Sequence, residues 1–279
     1  MHGSTPEAPT DTRPLLHERT GTGDPIVLVP GSLSGWISWI PHARALAANR
    51  EVIRVQLRGL ELVGSGQPLP ANYSTATETD ALLATVDALG LERFDLAGWS
   101  LGGHVALAFT LAHPDRVRTL TLIEPAAMWV LRQAGYPAAD LAALETHDRA
   151  FAGRAITPED LKRFLVRTGL GSPGDDFESH PSWPIWMRNR QILASIGMVW
   201  DDDTSLDRLR ALDMPMLVVH GTHSDLADIT ISRTVAAAAP GATLIELPGD
   251  HACHLQSGEA FLAALDAHLS QEVTPLSPV

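Results

Sequence analysis

The chain of 279 residues can bury one large α/β core or two small ones. Its 45% hydrophobic and 19% charged content is that of a folded chain rather than a disordered one. A formal net charge of −13 argues against nucleic acid or an anionic membrane as partner, since both need a basic face.

The first 14 residues, rich in Pro, Thr and acids, read as a flexible tail. They hold no charged leader followed by an apolar stretch, and no later run approaches the roughly 20 apolar residues of a membrane helix, so a cytoplasmic protein is expected. From Leu15 onward, short β-like runs alternate with longer helical patterns. Strands are predicted at Ile26–Val29, Val52–Val55, Phe94–Ala97, Val117–Ile123, Met216–Val219 and Thr243–Leu247. Their continuous apolar character is that of buried parallel strands. Helices are predicted between them at Thr77–Leu89, Leu101–Ala112, Ile229–Ala239 and Glu259–His268. This alternation implies a mostly parallel sheet with helices on both faces.

One stretch breaks the rhythm. Between Ala126 and Ser205 the sequence shows helical patterns at Ala138–Phe151, Pro158–Thr168 and Trp183–Ile196 and no convincing strand. A helical cap over 126–205, inserted into a core made of 15–125 and 206–272, is the economical reading. Its bounding loops are the Pro- and Gly-rich stretch Gly169–Pro184 and the acidic run Asp201-Asp202-Asp203.

Chemistry concentrates at Gly98-Trp99-Ser100-Leu101-Gly102. The pattern Gly-x-Ser-x-Gly gains meaning from its context, because it follows a predicted strand and opens a predicted helix. Such a sharp turn strains the serine backbone, and flanking glycines relieve crowding. The helix start aims free N–H groups at charge developing above the serine. A serine hydroxyl needs an adjacent base, and in Pro248-Gly249-Asp250-His251 the histidine follows the last predicted strand. His251 is therefore the expected base, with His254 as its rival. The acid that holds the histidine tautomer has two main candidates: Asp225, after the strand Met216–Val219, is the first choice, and Glu124, ending Val117–Ile123, is the alternative. Asp228 is a third. For the oxyanion, backbone N–H groups of Ser32 and Leu101 are expected. The lone cysteine, Cys253, rules out a disulfide framework and a multi-cysteine metal site, and no metal ligands are assigned.

Val29-Pro30-Gly31, Gly98–Gly103, Asp115-Arg116-Val117, Gly221–Asp225 and Gly249–His251, taken together and in this order, resemble the landmarks of the α/β-hydrolase superfamily over nearly the whole chain. The resemblance implies an eight-stranded, mostly parallel sheet, a helical cap over the site and a Ser-His-acid mechanism without cofactor. It also implies departures. Pro30-Gly31 stands where relatives carry His-Gly, Gln56-Leu57-Arg58-Gly59 where they carry Asp-x-Arg-Gly, and Asp225 lies four residues past Gly221 where many relatives have the acid at three. A glutamate at position 124 and a tryptophan-bearing lid resemble zearalenone-type lactonases.

Four of the seven tryptophans, Trp129, Trp183, Trp186 and Trp200, fall in the inserted segment. With Trp99 beside the serine, Trp129, Trp183 and Trp186 are the expected pocket residues, although the same side chains would serve a small core of the lid equally well. The leading reading is hydrolysis of a small hydrophobic ester or lactone through an acyl-Ser100 intermediate. Carbon–carbon bond hydrolysis and acyl transfer are alternatives on the same fold, and a non-catalytic ligand-binding protein is the alternative from another class.

Overall fold

A computed structural model describes residues 12–201 and 204–271. Most of the expected N-terminal tail, and Asp202 and Asp203 of the acidic run, lie outside the described residues. Seven strands form one sheet: β1 (His17–Thr20), β2 (Asp24–Val29), β3 (Arg50–Val55), β4 (Phe94–Trp99), β5 (Val117–Ile123), β6 (Met216–Gly221) and β7 (Ala242–Leu247). Their order is β1-β3-β2-β4-β5-β6-β7, with β1 antiparallel to β3 and every other pair parallel.

The expectation of eight strands is corrected to seven among the described residues. One of the seven, β1, had no signal in the sequence. Its residues His-Glu-Arg-Thr are polar and mostly exposed at the sheet edge, where pairing with β3 needs no apolar face.

Strands β2 to β6 are apolar on both faces because helices cover both. Alternate residues divide between two cores, as the two-residue side-chain period requires. Val27, Val29, Leu96, Leu120 and Val218 pack on one side with Leu82, Val105 and Ile231. After α1 (Ile40–Leu46) and α2 (Arg58–Gly64) in the chain, these last three come from α3 (Thr75–Ala88), α4 (Leu101–Ala112) and α10 (Leu226–Ala238). Ile26, Leu28, Ala97, Trp99, Ile123 and Val219 pack on the other side with Trp39, Phe261 and Leu265. Phe261 and Leu265 belong to α12 (Gly258–Leu269).

Between β5 and β6 the chain is helical: α5 (Trp129–Gln133), α6 (Ala138–Arg149), α7 (Pro158–Arg167), α8 (Trp183–Asn189), a 3-10 stretch (Arg190–Trp200) and α9 (Leu206–Arg210). Helix α7 starts on a reciprocal cap between Thr157 and Asp160, with Pro158 at its first position. The segment has a polar anchor of its own, since the buried Trp200 donates from Nε1 to Asp148 at 3.0 Å. No helix among the described residues is long and apolar enough to cross a membrane.

Register positions the site. Trp99 pairs with Ile123 and Ile123 with Val219, so β4 and β5 end level, two residues short of the end of β6. The next residues on β4 and β5, Ser100 and Glu124, therefore emerge side by side at the carboxyl edge of the sheet, where ligands bind in open α/β sheets.

Candidate active site

Ser100 occupies the sharp turn between β4 and α4, with φ 55° and ψ −120°. Two glycines make that turn feasible. A Cβ on Gly98 would stand 2.3 Å from the Gly102 carbonyl oxygen, and one on Gly102 would stand 2.4 Å from the carbonyl oxygens of Val29 and Pro30. Among the described residues, Ser100 and Glu124 (φ 41°) are the only non-glycine residues with positive φ. Such strain persists where the surrounding structure holds it, and it gathers at functional sites. Here the Ser100 N–H donates to the Ile123 carbonyl at 2.9 Å, and the Glu124 N–H donates to the Val219 carbonyl at 3.0 Å.

His251 links the two. Its Nε2 lies 2.9 Å from Ser100 Oγ and its Nδ1 lies 2.7 Å from Glu124 Oε2. The other Glu124 oxygen accepts from the Gly221 N–H at 2.6 Å and from the Ser224 hydroxyl. Glu124 is fully buried, and His251 is buried apart from its edge toward the cavity. The His251 main chain is held as well, since Trp99 Nε1 donates to its carbonyl at 2.8 Å.

The carboxylate on His251 Nδ1 is thus Glu124, and the first-choice expectation of Asp225 is corrected. Asp225 is the N-cap of α10, and its side chain accepts from the Ala227 N–H at 2.8 Å. The physical reason lies in the loop after β6. Position 224, three residues past Gly221, carries a serine, and its hydroxyl turns toward Glu124. The neighbouring strand end supplies the carboxylate that the loop does not. Asp228 also reaches the ring, with Oδ2 3.4 Å from Nδ1.

Burial lowers the proton affinity of His251, but the adjoining Asp228 and Glu124 carboxylates outweigh it and push the ring up to about 10. Glu124, Asp228 and His251 bring their donor atoms within 4.8 Å of one another, a grouping that a metal ion could also use. With Nδ1 against a carboxylate and Nε2 against a hydroxyl, the hydrogen-bond order is that of a proton-transfer chain.

A cavity of about 250 Å³ opens above Ser100. Ser32, Trp99, Phe164, Leu170, His180, Trp186 and Asp250 are among the residues that line it. Among the described residues, no lysine or arginine does so. Ser32 lies in the loop after β2 and Leu101 opens α4, which places the two expected oxyanion donors on adjoining elements.

Of the four expected pocket residues, Trp99 and Trp186 line the cavity, and the expectation for Trp129 and Trp183 is corrected, since neither does. Trp129 is 2% exposed and belongs to the main core, because α5 follows β5 after a short loop and packs against α10. Trp183 is half-buried, stacks with Lys162 at 5.7 Å and does not line the cavity.

Sequence reasoning missed the ties between α8 and the loop after β2. Trp186 Nε1 donates to Ser34 Oγ at 3.0 Å, and Asn189 Nδ2 donates to the Leu33 carbonyl at 2.7 Å. No sequence spacing signals partners more than 150 residues apart.

Comparison with known proteins agrees with this architecture. Residues 26–264 match the model of the "Alpha/beta hydrolase family". The chain belongs to that family. RutD of Klebsiella pneumoniae (strain 342), whose name proposes it as a carbamate hydrolase, is 27% identical over 266 residues, covering 86% of this chain and 89% of that one. The 2-hydroxymuconate semialdehyde hydrolase of Pseudomonas sp. (strain CF600) is 35% identical over 119 residues, covering 42% of this chain and 41% of its own. The crystal structure of the enol-lactonase from Burkholderia xenovorans LB400 shares the fold, with a TM-score of 0.71 and 23% identity over 92% of this chain and 96% of that one. Family membership makes the chain a hydrolase of the α/β type, and the names of these relatives differ in the substrate they give.

Proposed function

We propose that this α/β hydrolase cleaves an uncharged, largely apolar carboxylic ester or lactone through an acyl-Ser100 intermediate. The observation that carries the reading is the unbroken hydrogen-bonded chain Ser100–His251–Glu124 opening into a cavity that no lysine or arginine among the described residues lines. His251 Nε2 takes the Ser100 proton as the hydroxyl oxygen attacks the acyl carbon. Glu124 stabilises the imidazolium that forms. The N–H groups of Ser32 and Leu101 are the proposed donors to the tetrahedral oxyanion, and each such donor is worth roughly a hundredfold or more in rate. The proton on Nε2 then goes to the departing alkoxide. Water, activated in its turn by His251, releases the acid and restores Ser100.

The lining favours this substrate class over the acids that a carbon–carbon bond hydrolase takes. A carboxylate in a closed pocket needs a cationic partner, and Asp250 would repel one. The segment over 126–205 is the proposed cap, with α7 and α8 supplying Phe164 and Trp186 to the cavity.

A panel of neutral and carboxylate-bearing esters and lactones, together with a fluorophosphonate probe, tests the reading. Turnover of neutral esters, and labelling that Ser100→Ala abolishes, are expected. No turnover and no Ser100-dependent label would overturn it, as would cleavage confined to dienoic keto acids.

A further inference from the structure

His251 faces two carboxylates where a Ser-His-acid chain requires one. Asp228 is the third residue of α10, is 6% exposed, and sets Oδ2 3.4 Å from the same Nδ1 that Glu124 meets at 2.7 Å. A single N–H makes one good hydrogen bond, and Glu124 has the shorter distance. Asp228 therefore acts on the ring chiefly as charge. Its own placement is favourable, because the first turn of a helix presents unpaired N–H groups and a positive dipole end.

We propose that Asp228 is a positioning residue, a second carboxylate on the Nδ1 edge of His251 that joins Glu124 in holding the ring as a cation and so moves the pH at which the ring becomes a base toward the alkaline side.

The remaining surroundings do not offset this charge. The Trp99 ring lies tilted beside the imidazole at 5.8 Å, and the Ser100 hydroxyl sits on Nε2. The Cys253 thiol, pushed up to about 12 chiefly by burial, is neutral through the working range. The His254 ring is held neutral chiefly by burial, and its proton affinity falls well below that of a free imidazole. Tyr136, in the segment after α5, is pushed up first by burial and then by the Asp225, Asp140 and Asp228 charges, and stays a neutral phenol. Asp250, at the cavity wall beside His251, adds a further negative charge. Among these neighbours the charged groups are all acidic, namely Glu124, Asp228 and Asp250. An opposite charge within about 4–6 Å moves a titration by roughly 1–3 units.

The kinetic arm of the test rests on the ester-hydrolase reading, and the spectroscopic arm does not. In kcat/KM against pH for a neutral ester, Asp228→Asn keeps the side-chain shape and removes the charge, and it should move the acidic limb down by about one unit. The rate at pH 7, relative to the alkaline plateau, should rise about tenfold for that shift. Asp228→Glu should leave the limb where the native protein has it. A limb that Asp228→Asn leaves in place, or that Asp228→Glu moves equally, overturns the proposal.

NMR titration of the His251 ring in a Ser100→Ala background, with and without Asp228→Asn, reads the same quantity without turnover. The midpoint should fall by about one unit when the charge is removed. An unchanged midpoint overturns the proposal even in a variant that cleaves nothing. If the native protein hydrolyses no ester, the function above fails while this titration still decides the role of Asp228.

Discussion

His251 and His254 are three residues apart in one short loop-and-helix segment, α11 (Cys253–Gln256) with its leader, and they behave as opposites. His251 lies between Ser100 and two carboxylates, and its ring is pushed up to about 10. His254 is fully buried among Trp39, His42, Trp99 and Phe261, and neither of its ring nitrogens has a hydrogen-bond partner among the described residues. Trp99 separates the two, with its ring 5.8 Å from one imidazole and 4.7 Å from the other. The difference teaches that the residue type supplies only the capacity to titrate. The wall behind the ring decides whether that capacity becomes a working base or a neutral packing group.

The contrast breaks most sharply at the rings themselves. His251→Gln should lower kcat on a neutral ester by about 10⁴-fold or more, whereas His254→Leu should leave kcat near its native value. Equal losses, measured in parallel steady-state assays, would dissolve the distinction.

The acids come next. Glu124→Gln should cost roughly 10⁴-fold in kcat, because the imidazolium loses its closest counter-charge and the ring its tautomer. Asp225→Ala should spare kcat and cost about 1 kcal/mol of stability, the worth of a helix cap, read by urea denaturation. A reversal of those two results would return the acid role to the loop after β6.

Stability against pH sharpens the comparison from both sides. Burial lowers His254 and His42, and it lowers His268 to about 4. The unfolded chain therefore binds more protons than the folded one as pH drops below about 6.5, and stability should fall across that range. His251 has the opposite sign. Its folded value is raised to about 10, so its contribution is complete below about 6.5 and is lost as pH rises through 10. Melting temperature should decline toward both extremes, with His254→Leu flattening the acid side and His251→Gln the alkaline side. A variant that flattens the wrong side contradicts the assignment of environments.

The smallest effect is expected at the dividing wall. Trp99→Phe keeps an aromatic face but removes the N–H that the His251 carbonyl accepts. An unsatisfied buried carbonyl costs about 1–3 kcal/mol, and a loss of about tenfold in kcat with little change in KM is expected from a loosened base. No change in either would show that the loop holds His251 without Trp99.

Ser100 and His251 were legible because each sits in a local pattern. One lies in a Gly-x-Ser-x-Gly turn between an apolar strand and a helix, and the other follows a Pro-Gly turn after the last strand. Strand β1 was not legible, because a polar edge strand carries no hydrophobic period. The acid was open among three residues, since neighbouring parallel strands present the residues that follow them at the same edge of the sheet. The tryptophans of the inserted helices read alike in sequence, although Trp129 fills the core and Trp186 faces the cavity.

The sequence by itself determined the parallel α/β order, the serine at its turn and the histidine that follows the last strand. These depend on short-range periodicity and on which residues tolerate a tight backbone turn. Only the tertiary structure decided that Glu124 rather than Asp225 meets the ring, that Asp228 joins it, and that His254 is shut away from water. Those outcomes depend on strand register and on burial, and the Glu124 contact joins groups 127 residues apart in the chain.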